Sequence, residues 1–401
     1  MTETPHIFTS ITANYLPKAR VLASSVKTVM PEAVFHLVLC DDLPDDVVWE
    51  DEPFDNLLQI KDLPLENAEA WVFGHSVVEL CTAVKGIAME TLFERFGADK
   101  AFYFDPDTVV FSRLDELCAA LDDSSILLTP HQVTPEESTE AILDNETASL
   151  KYGVFNLGFL GVRNDENGRR FSGWWADRLI RFCRDDRPAG LFTDQKWVNL
   201  APCFFDGIRV WRSPAFNVAT WNITTREVAG SFDEGFTVNG EPLGFYHFSG
   251  FDSGDQALML GKYGRDNAAL LALREWYIRE CDRFGQETIG DRPSVFHCYE
   301  SGDVITAPQR HLYRERIDLQ RAFPNPFDTS RQDGGYLAWY LANVEEDAAD
   351  GTQEKPPAEV MREFRQWLEG RAALSSSAPR RWALRGLNQL LGLAAFAFAR
   401  R

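Results

Sequence analysis

Tyr103-Phe104-Asp105-Pro106-Asp107-Thr108-Val109-Val110 sets two carboxylates two positions apart between two apolar runs. On extended backbone, side chains at i and i+2 project to the same side, so both acids can face one cation. An apolar run on either side places the pair at a strand end, where open α/β sheets gather their ligands. A hard cation, Mg²⁺ or Mn²⁺, needs few protein oxygens, because phosphate oxygens and water complete its shell. The plain alternative is a solvated turn with two unrelated acids.

Outward from that motif the chain alternates strand and helix patterns, which predicts a sheet built from β-α-β units. Residues 6–12 (HIFTSIT) and 33–40 (AVFHLVLC) read as buried strands flanking a helix over 17–30 that Pro31 ends. The second strand runs into the acidic cluster Asp41-Asp42-Leu43-Pro44-Asp45-Asp46. A helix over 76–96, closed by Gly97, leads to a strand over 100–111 interrupted by Asp-Pro-Asp. Strands are expected at 125–130, 154–162 and 245–251, with a helix over 172–185. From about residue 265 the pattern turns helical, and 345–357 (EEDAADGTQEKPP) reads as a polar linker.

The composition suits a protein with a large core: 401 residues, 45% hydrophobic, 12% aromatic and 25% charged. A formal charge of −21 excludes nucleic acid as a partner unless a local basic patch supplies the attraction. One such patch exists. The tail 379–401 carries Arg380, Arg381, Arg385, Arg400 and Arg401, so +5 on a −21 chain leaves −26 for the rest. Its apolar stripe Leu384, Leu387, Leu391 and Phe398 can lie in the inner-membrane interface, or dock on its own domain or on a second subunit of a homo-oligomer. The seven cysteines show no CxxC and read as reduced core residues. No signal-like opening and no run of about 18 apolar residues is present, so the expected location is the cytoplasm, peripheral to the inner membrane if the tail engages lipid.

Taken with its flanking segments, the chain resembles the GT-A-fold glycosyltransferases, family 8 in particular, over residues 6–251. The resemblance implies an α/β fold, a GT-A (Rossmann-like) mixed sheet flanked by helices, with a C-terminal helical extension. It implies a nucleotide-sugar donor, a UDP-sugar, transferred with retention to a glycan or lipid-linked acceptor, with Mn²⁺ or Mg²⁺ as cofactor. Ala13, Asn14 and Tyr15 in FTSITANY look like its nucleotide-binding opening. Lys85 resembles the basic residue that reaches donor sugar or phosphate. Asp105 and Asp107 match its metal-binding DxD, and Asp105 also touches the donor. Asn156 and Gly158 in VFNLGFLGV resemble the strand lining the sugar pocket. Asp194 and Gln195 in LFTDQKWVN resemble its DQ pair, implied to be catalytic, and His247 in FYHFSG its late metal ligand. An imidazole with two carboxylates suits Mn²⁺. Each residue also has an ordinary reading: an exposed helix lysine for Lys85, a strand-end cap for Asn156, a helix N-cap for Asp194.

The chain departs from that family after His247, where Phe248-Ser249-Gly250-Phe251-Asp252-Ser253-Gly254 lacks the family's phosphate-binding lysine. Arg310 and Arg314 are the substitutes on offer, and Asp252 or Asp255 would be the base of an inverting reaction. Trp221-Asn222 is the aromatic pair expected nearest an acceptor. Two rival functions fit the same residues. A strand ending in DxDxT/V resembles the nucleophile motif of haloacid-dehalogenase-type phosphatases, with Asp105 as nucleophile and Thr129 in a second motif. A non-catalytic sugar-binding protein would keep the pocket and lose the reaction. The expected organisation is a catalytic domain over 1–262, a helical extension over 263–344, the linker 345–357 and C-terminal helices over 358–401.

Overall fold

The computed structural model describes residues 4–344; the expected linker, the C-terminal helices and the basic tail lie outside the described residues. Fourteen strands are described in chain order. The first seven are β1 (His6–Ile11), β2 (Val34–Leu39), β3 (Asn56–Gln59), β4 (Lys100–Phe104), β5 (Thr108–Val110), β6 (Ile126–Pro130) and β7 (Phe155–Arg163). Then come β8 (Asp185–Asp186), β9 (Leu191–Phe192), β10 (Ile208–Val210), β11 (Val228–Ser231), β12 (Gly235–Val238), β13 (Glu241–Pro242) and β14 (Phe245–His247).

Seven of them form the central sheet in the order β10-β6-β7-β4-β1-β2-β3. The pairs β10/β6, β4/β1, β1/β2 and β2/β3 are parallel, while β7 runs antiparallel to both its neighbours. The expected mixed α/β sheet flanked by helices is therefore the fold observed. From β1 the chain crosses first to β2 on one side and later to β4 on the other, so the carboxyl ends of β1 and β4 bound a topological switch point. Because β7 is antiparallel, its amino-terminal end lies beside the carboxyl end of β4, with Phe104 opposite Phe159. That single reversal brings Asn156-Leu157-Gly158 next to the Asp-Pro-Asp segment.

Two helices support this corner. The Val77–Arg95 helix opens on a capping box, Ser76 Oγ accepting from Glu79 N (3.3 Å) and Glu79 accepting from Ser76 N (2.9 Å). It packs on the Glu166–Phe182 helix so closely that a Cβ on Gly86 would stand 2.6 Å from Ala176 Cα. The neighbouring Lys85 is thereby held under the sheet, 2% exposed. The Glu166–Phe182 helix starts six residues earlier than the expected 172, because Asp165 caps it through Gly168 N (2.7 Å).

Other expectations need correction. The strand expected over 245–251 ends at His247, after three residues, because the strand it pairs with, β5, is itself three residues long. Cys203 is exposed, so the cysteines are not uniformly core residues; all seven are free. Strand β3, strand β10 and the hairpins β8–β9 and β11–β13 were too short or too polar to stand out in the sequence.

The chain divides into two compact units, residues 1–337 and 338–401, and the described part of the second, 338–344, includes the end of the Gly335–Asn343 helix. In the first unit, the helical stretch after β14 comprises Asp255–Met259, Ala268–Arg283, Ala307–Glu315 and shorter pieces. Among the described residues, no helix is long and apolar enough to cross a membrane.

Candidate metal and donor site

The two acids of the opening motif meet for a different reason from the one their spacing suggested. Residues 105–108 are not extended: Thr108 N donates to Asp105 O (3.0 Å), a turn with Pro106 second, the position whose φ proline already fixes. Asp105 N donates to Gly158 O (2.9 Å), which ties the turn to the end of β7. Past the turn the chain enters β5, which pairs with β14 so that Thr108 faces His247, and Phe248 N donates to Asp107 O (2.8 Å). The imidazole is delivered to the acids by that ribbon.

His247 Nε2 lies 3.0 Å from Asp107 Oδ1 and 3.7 Å from Asp105 Oδ2. One ligand atom from each of the three residues falls within 4.8 Å of the others, and this is the one cluster of its kind among the described residues. Gly158 makes the approach possible, since a Cβ there would stand 2.6 Å from His247 Nδ1 and 2.8 Å from Asn156 Oδ1.

Behind the cluster, Lys85 Nζ sits 3.2 Å from Asp105 Oδ1 and 2.9 Å from Asp194 Oδ2, and donates to Leu157 O (3.2 Å). Tyr103 donates to the same Asp105 oxygen (2.6 Å) and lies under the ammonium, 4.1 Å from its ring centre. Burial alone would lower the Lys85 pKa; Asp105 and Asp194 outweigh it and hold it above the ordinary lysine value. Burial pushes Asp105 up, but Lys85, His247 and Tyr103 bring it below the usual carboxylate range. Asp194, more deeply buried and with Lys85 as the cation beside it, stays above that range. For His247, burial would lower the pKa, and Asp107 and Asp105 reverse the direction. Three carboxylates against one ammonium leave a formal charge of −2 with all three acids ionised and His247 neutral. Two carboxylate oxygens, an imidazole nitrogen and a −2 deficit are what a divalent cation of borderline hardness requires, so the residues fit the ion the sequence implied.

A cleft of about 780 Å³ opens over this floor, lined among others by Lys85, Asp105, Asn156, Asp194, Gln195 and His247. Gln195 is fixed at both ends of its amide, Oε1 accepting from Leu157 N (3.0 Å) and Nε2 donating to Tyr152 O (3.1 Å). Asp194 follows Thr193, which adopts φ +43°, a conformation a β-branched residue rarely takes, and whose hydroxyl donates to Asp194 Oδ1 (3.1 Å). Asn156 Oδ1 accepts from Gly158 N (3.1 Å) and Asn217 Nδ2 (3.0 Å).

The remaining expected residues lie elsewhere or are otherwise engaged. Ala13, Asn14 and Tyr15 form a turn at the end of β1, outside the lining of that cleft. Ala13 N donates to the buried Asp41 (3.1 Å), the first acid of the cluster after β2. Tyr15 donates to Asp252 (2.5 Å), whose two oxygens also take Lys18 Nζ at 2.7 Å each, so Asp252 is occupied as a structural anion. Asp255 does line the cleft. Arg310 is committed to the carbonyls of Phe73 (2.8 Å) and Phe296 (2.5 Å), and Arg314 to Gly74 O (3.1 Å) and Glu79 (3.3 Å). Neither replaces the missing phosphate lysine. Thr129 accepts from Asn217 (2.9 Å), a core role that leaves the phosphatase reading without its second motif.

Sequence reasoning passed over His131 and Asn217. His131 Nε2 accepts from Asn156 Nδ2 (3.2 Å) while Nδ1 faces Val154 O (3.3 Å), so the ring is neutral with its proton on Nδ1; burial pushes its pKa down to about 4. Trp221 stacks edge-on between it and His247, with ring centres 5.3 Å away on each side. The available signal was the position of His131 immediately after β6, at the same end of the sheet as Asp105.

The fold and site thus define an α/β protein with a carboxylate–imidazole cluster at the switch point of its sheet. The chain belongs to the family of the uncharacterized protein YfnD of Bacillus subtilis (strain 168), to which it is 31% identical over 228 residues, 54% of this chain and 69% of that one. It is also 24% identical to YfnF of the same strain over 174 residues, 43% of this chain and 57% of YfnF. No protein-family model matches. Among solved structures it is similar to the galactosyltransferase LgtC in complex with donor and acceptor sugar analogs, at 15% identity over 70% of this chain and 96% of that one, TM-score 0.42. It is likewise similar to mouse xyloside xylosyltransferase 1, at 13% identity over 62% and 97%, TM-score 0.37.

Proposed function

We propose that the protein is a metal-dependent glycosyltransferase that moves a sugar from a UDP-sugar, with retention of configuration, to a glycan or lipid-linked acceptor. The observation that carries this reading is the Asp105–Asp107–His247 cluster backed by the Lys85–Asp194 pair on the floor of one cleft. A nucleoside diphosphate leaves only if its growing charge is neutralised, and Mn²⁺ or Mg²⁺ held by the three ligands supplies that charge. An overall acidic protein cannot attract an anionic donor by its general field, so the positive charge has to be local.

This chain's own residues do the rest. Lys85 holds Asp105 and Asp194 in place and favours the ionised form of each. Ala13, Asn14 and Tyr15 take the nucleoside at the end of β1. Asn156 and Gly158 shape the sugar pocket. Gln195 and Asp194, immobilised by Leu157, Tyr152 and Lys85, face the reacting sugar and carry the catalytic role.

The test is thermal. UDP with Mn²⁺ should raise the melting temperature, Asp107→Ala should abolish the shift, and a panel of nucleotide-sugars should release nucleotide slowly without acceptor. If no nucleoside diphosphate stabilises the protein with any divalent ion, the reading fails. Hydrolysis of p-nitrophenyl phosphate that disappears in Asp105→Asn would put a phosphatase in its place.

A further inference from the structure

The mouth of the cleft differs chemically from its floor. Val78 and Leu258 line it while 66% and 72% exposed, and Tyr152, Phe192 and Met259 add further apolar side chains to the lining. Leu143 and Leu150, 61% and 73% exposed, are the chain neighbours of the lining residues Asp144 and Ser149. A single exposed leucine needs no explanation, but several apolar side chains at the mouth of a cleft with a charged floor mark a binding surface.

The charged groups at the same opening are spent on one another. Lys262 pairs with Asp144 and with Glu140 (3.0 Å), and Tyr263 donates to Asp144 (2.7 Å). Arg187 is 3.0 Å from Asp185, and Ser253 donates to Asp255 (2.9 Å). The most exposed of the apolar side chains that line the cleft, Val78 and Leu258, are thereby open to a ligand entering it. The rim is also pre-formed: Asp144 and Lys262 belong to two π-helical turns, Ile142–Glu146 and Leu260–Gly264, a rare geometry that tends to mark functional sites, and their side chains tie one turn to the other.

We propose that the acceptor is an amphiphile, presenting a hydroxyl to the polar floor and laying an alkyl or aryl chain on the rim formed by Val78, Tyr152, Phe192, Leu258 and Met259. The assignment rests on the transferase reading and chooses between its two acceptor classes from the cleft itself. A free glycan extending from the same hydroxyl would leave the apolar side chains of Val78 and Leu258 facing water.

The probe is n-octyl β-D-glucoside below its micellar concentration, titrated into the full chain with UDP and Mn²⁺ and followed by tryptophan fluorescence, with methyl β-D-glucoside as control. Octyl glucoside should bind at least tenfold more tightly than methyl glucoside, and Leu258→Asp and Val78→Asp should each weaken octyl binding at least tenfold. Both side chains are exposed, so the variants should fold, which circular dichroism verifies. Equal binding of the two glucosides, or octyl binding untouched by both substitutions, overturns the proposal; the second result would place the alkyl chain elsewhere on the surface. The transferase reading is scored separately, by donor hydrolysis in the unsubstituted protein. Hydrolysis with rim-independent octyl binding removes the amphiphile alone, whereas rim-dependent binding without hydrolysis keeps the amphiphile site and removes the reaction.

Discussion

The floor and the rim of the cleft are built by opposite means. On the floor, every charged group is held by a second one: Lys85 spans Asp105 and Asp194, His247 reaches Asp107, and Gln195 is fixed at both ends of its amide. At the rim, Val78 and Leu258 stand largely in solvent. The floor therefore stores its function in mutual dependence, where one substitution disturbs several groups. The rim stores it in surface, where one substitution changes only what the surface attracts.

The sharpest break in that contrast is Lys85→Met. It strands Asp194, 2% exposed, without a counter-charge and takes one partner from Asp105. Removing one member of a buried pair costs about 3–5 kcal/mol, which urea denaturation should register. The double variant Lys85→Met/Asp194→Asn should recover much of the stability and none of the donor hydrolysis. If the single variant is as stable as the parent, the floor is less interdependent than the distances imply.

Gly158→Ala comes next. The added Cβ would stand 2.6 Å from His247 Nδ1 and 2.8 Å from Asn156 Oδ1, so the imidazole or the end of β7 must shift. Overpacking of this kind costs about 1–3 kcal/mol. The variant should also lose most of the Mn²⁺-dependent rise in melting temperature, while Gly173→Ala, at a helical position with nothing within 4 Å of the added Cβ, should leave that rise intact.

These residues show what the sequence could and could not disclose. Asp105, Asp107 and His247 were legible as a set from their order along the chain once the family resemblance was seen, and so were the strands that flank them. Their geometry was not. The acids converge through a turn closed at Thr108, and that depends on a hydrogen bond to Gly158 from a strand fifty residues later. The reversal of β7 is likewise invisible in a pattern of apolar residues, since a buried strand reads the same in either direction. Arg310 and Arg314 misled for the converse reason: a helical arginine looks solvated in sequence, and only packing reveals that carbonyls of Phe73, Phe296 and Gly74 absorb it. The rim was wholly illegible, because Val78, Leu258 and Tyr152 come from three distant segments and look like core.

A pH series separates the proton from the cation on the floor. In the ion-free protein His247 is held above 6.5, so its contribution to folding is present below that value and fades as pH rises through the raised pKa. A cation on Nε2 needs the neutral ring, so the proton must leave first, and Mn²⁺ affinity should fall about tenfold per pH unit below the raised pKa. The melting temperature without ion and the shift produced by Mn²⁺ should then move in opposite directions with pH. A shift that does not depend on pH would mean that His247 is not a ligand.

The smallest expected effect on stability is the one that defines the rim. Leu258→Asp removes a side chain already 72% exposed, so folding should change by no more than about 0.5 kcal/mol, the usual range for surface substitutions. Nor should Mn²⁺ binding change, because the new carboxylate joins Asp144 and Asp255 among the lining residues rather than the Asp–Asp–His cluster. What should fall is affinity for an alkyl chain. A stability loss comparable to that of Gly158→Ala would show that Leu258 packs against something that holds the cleft together, and the rim would then be structure of the same kind as the floor.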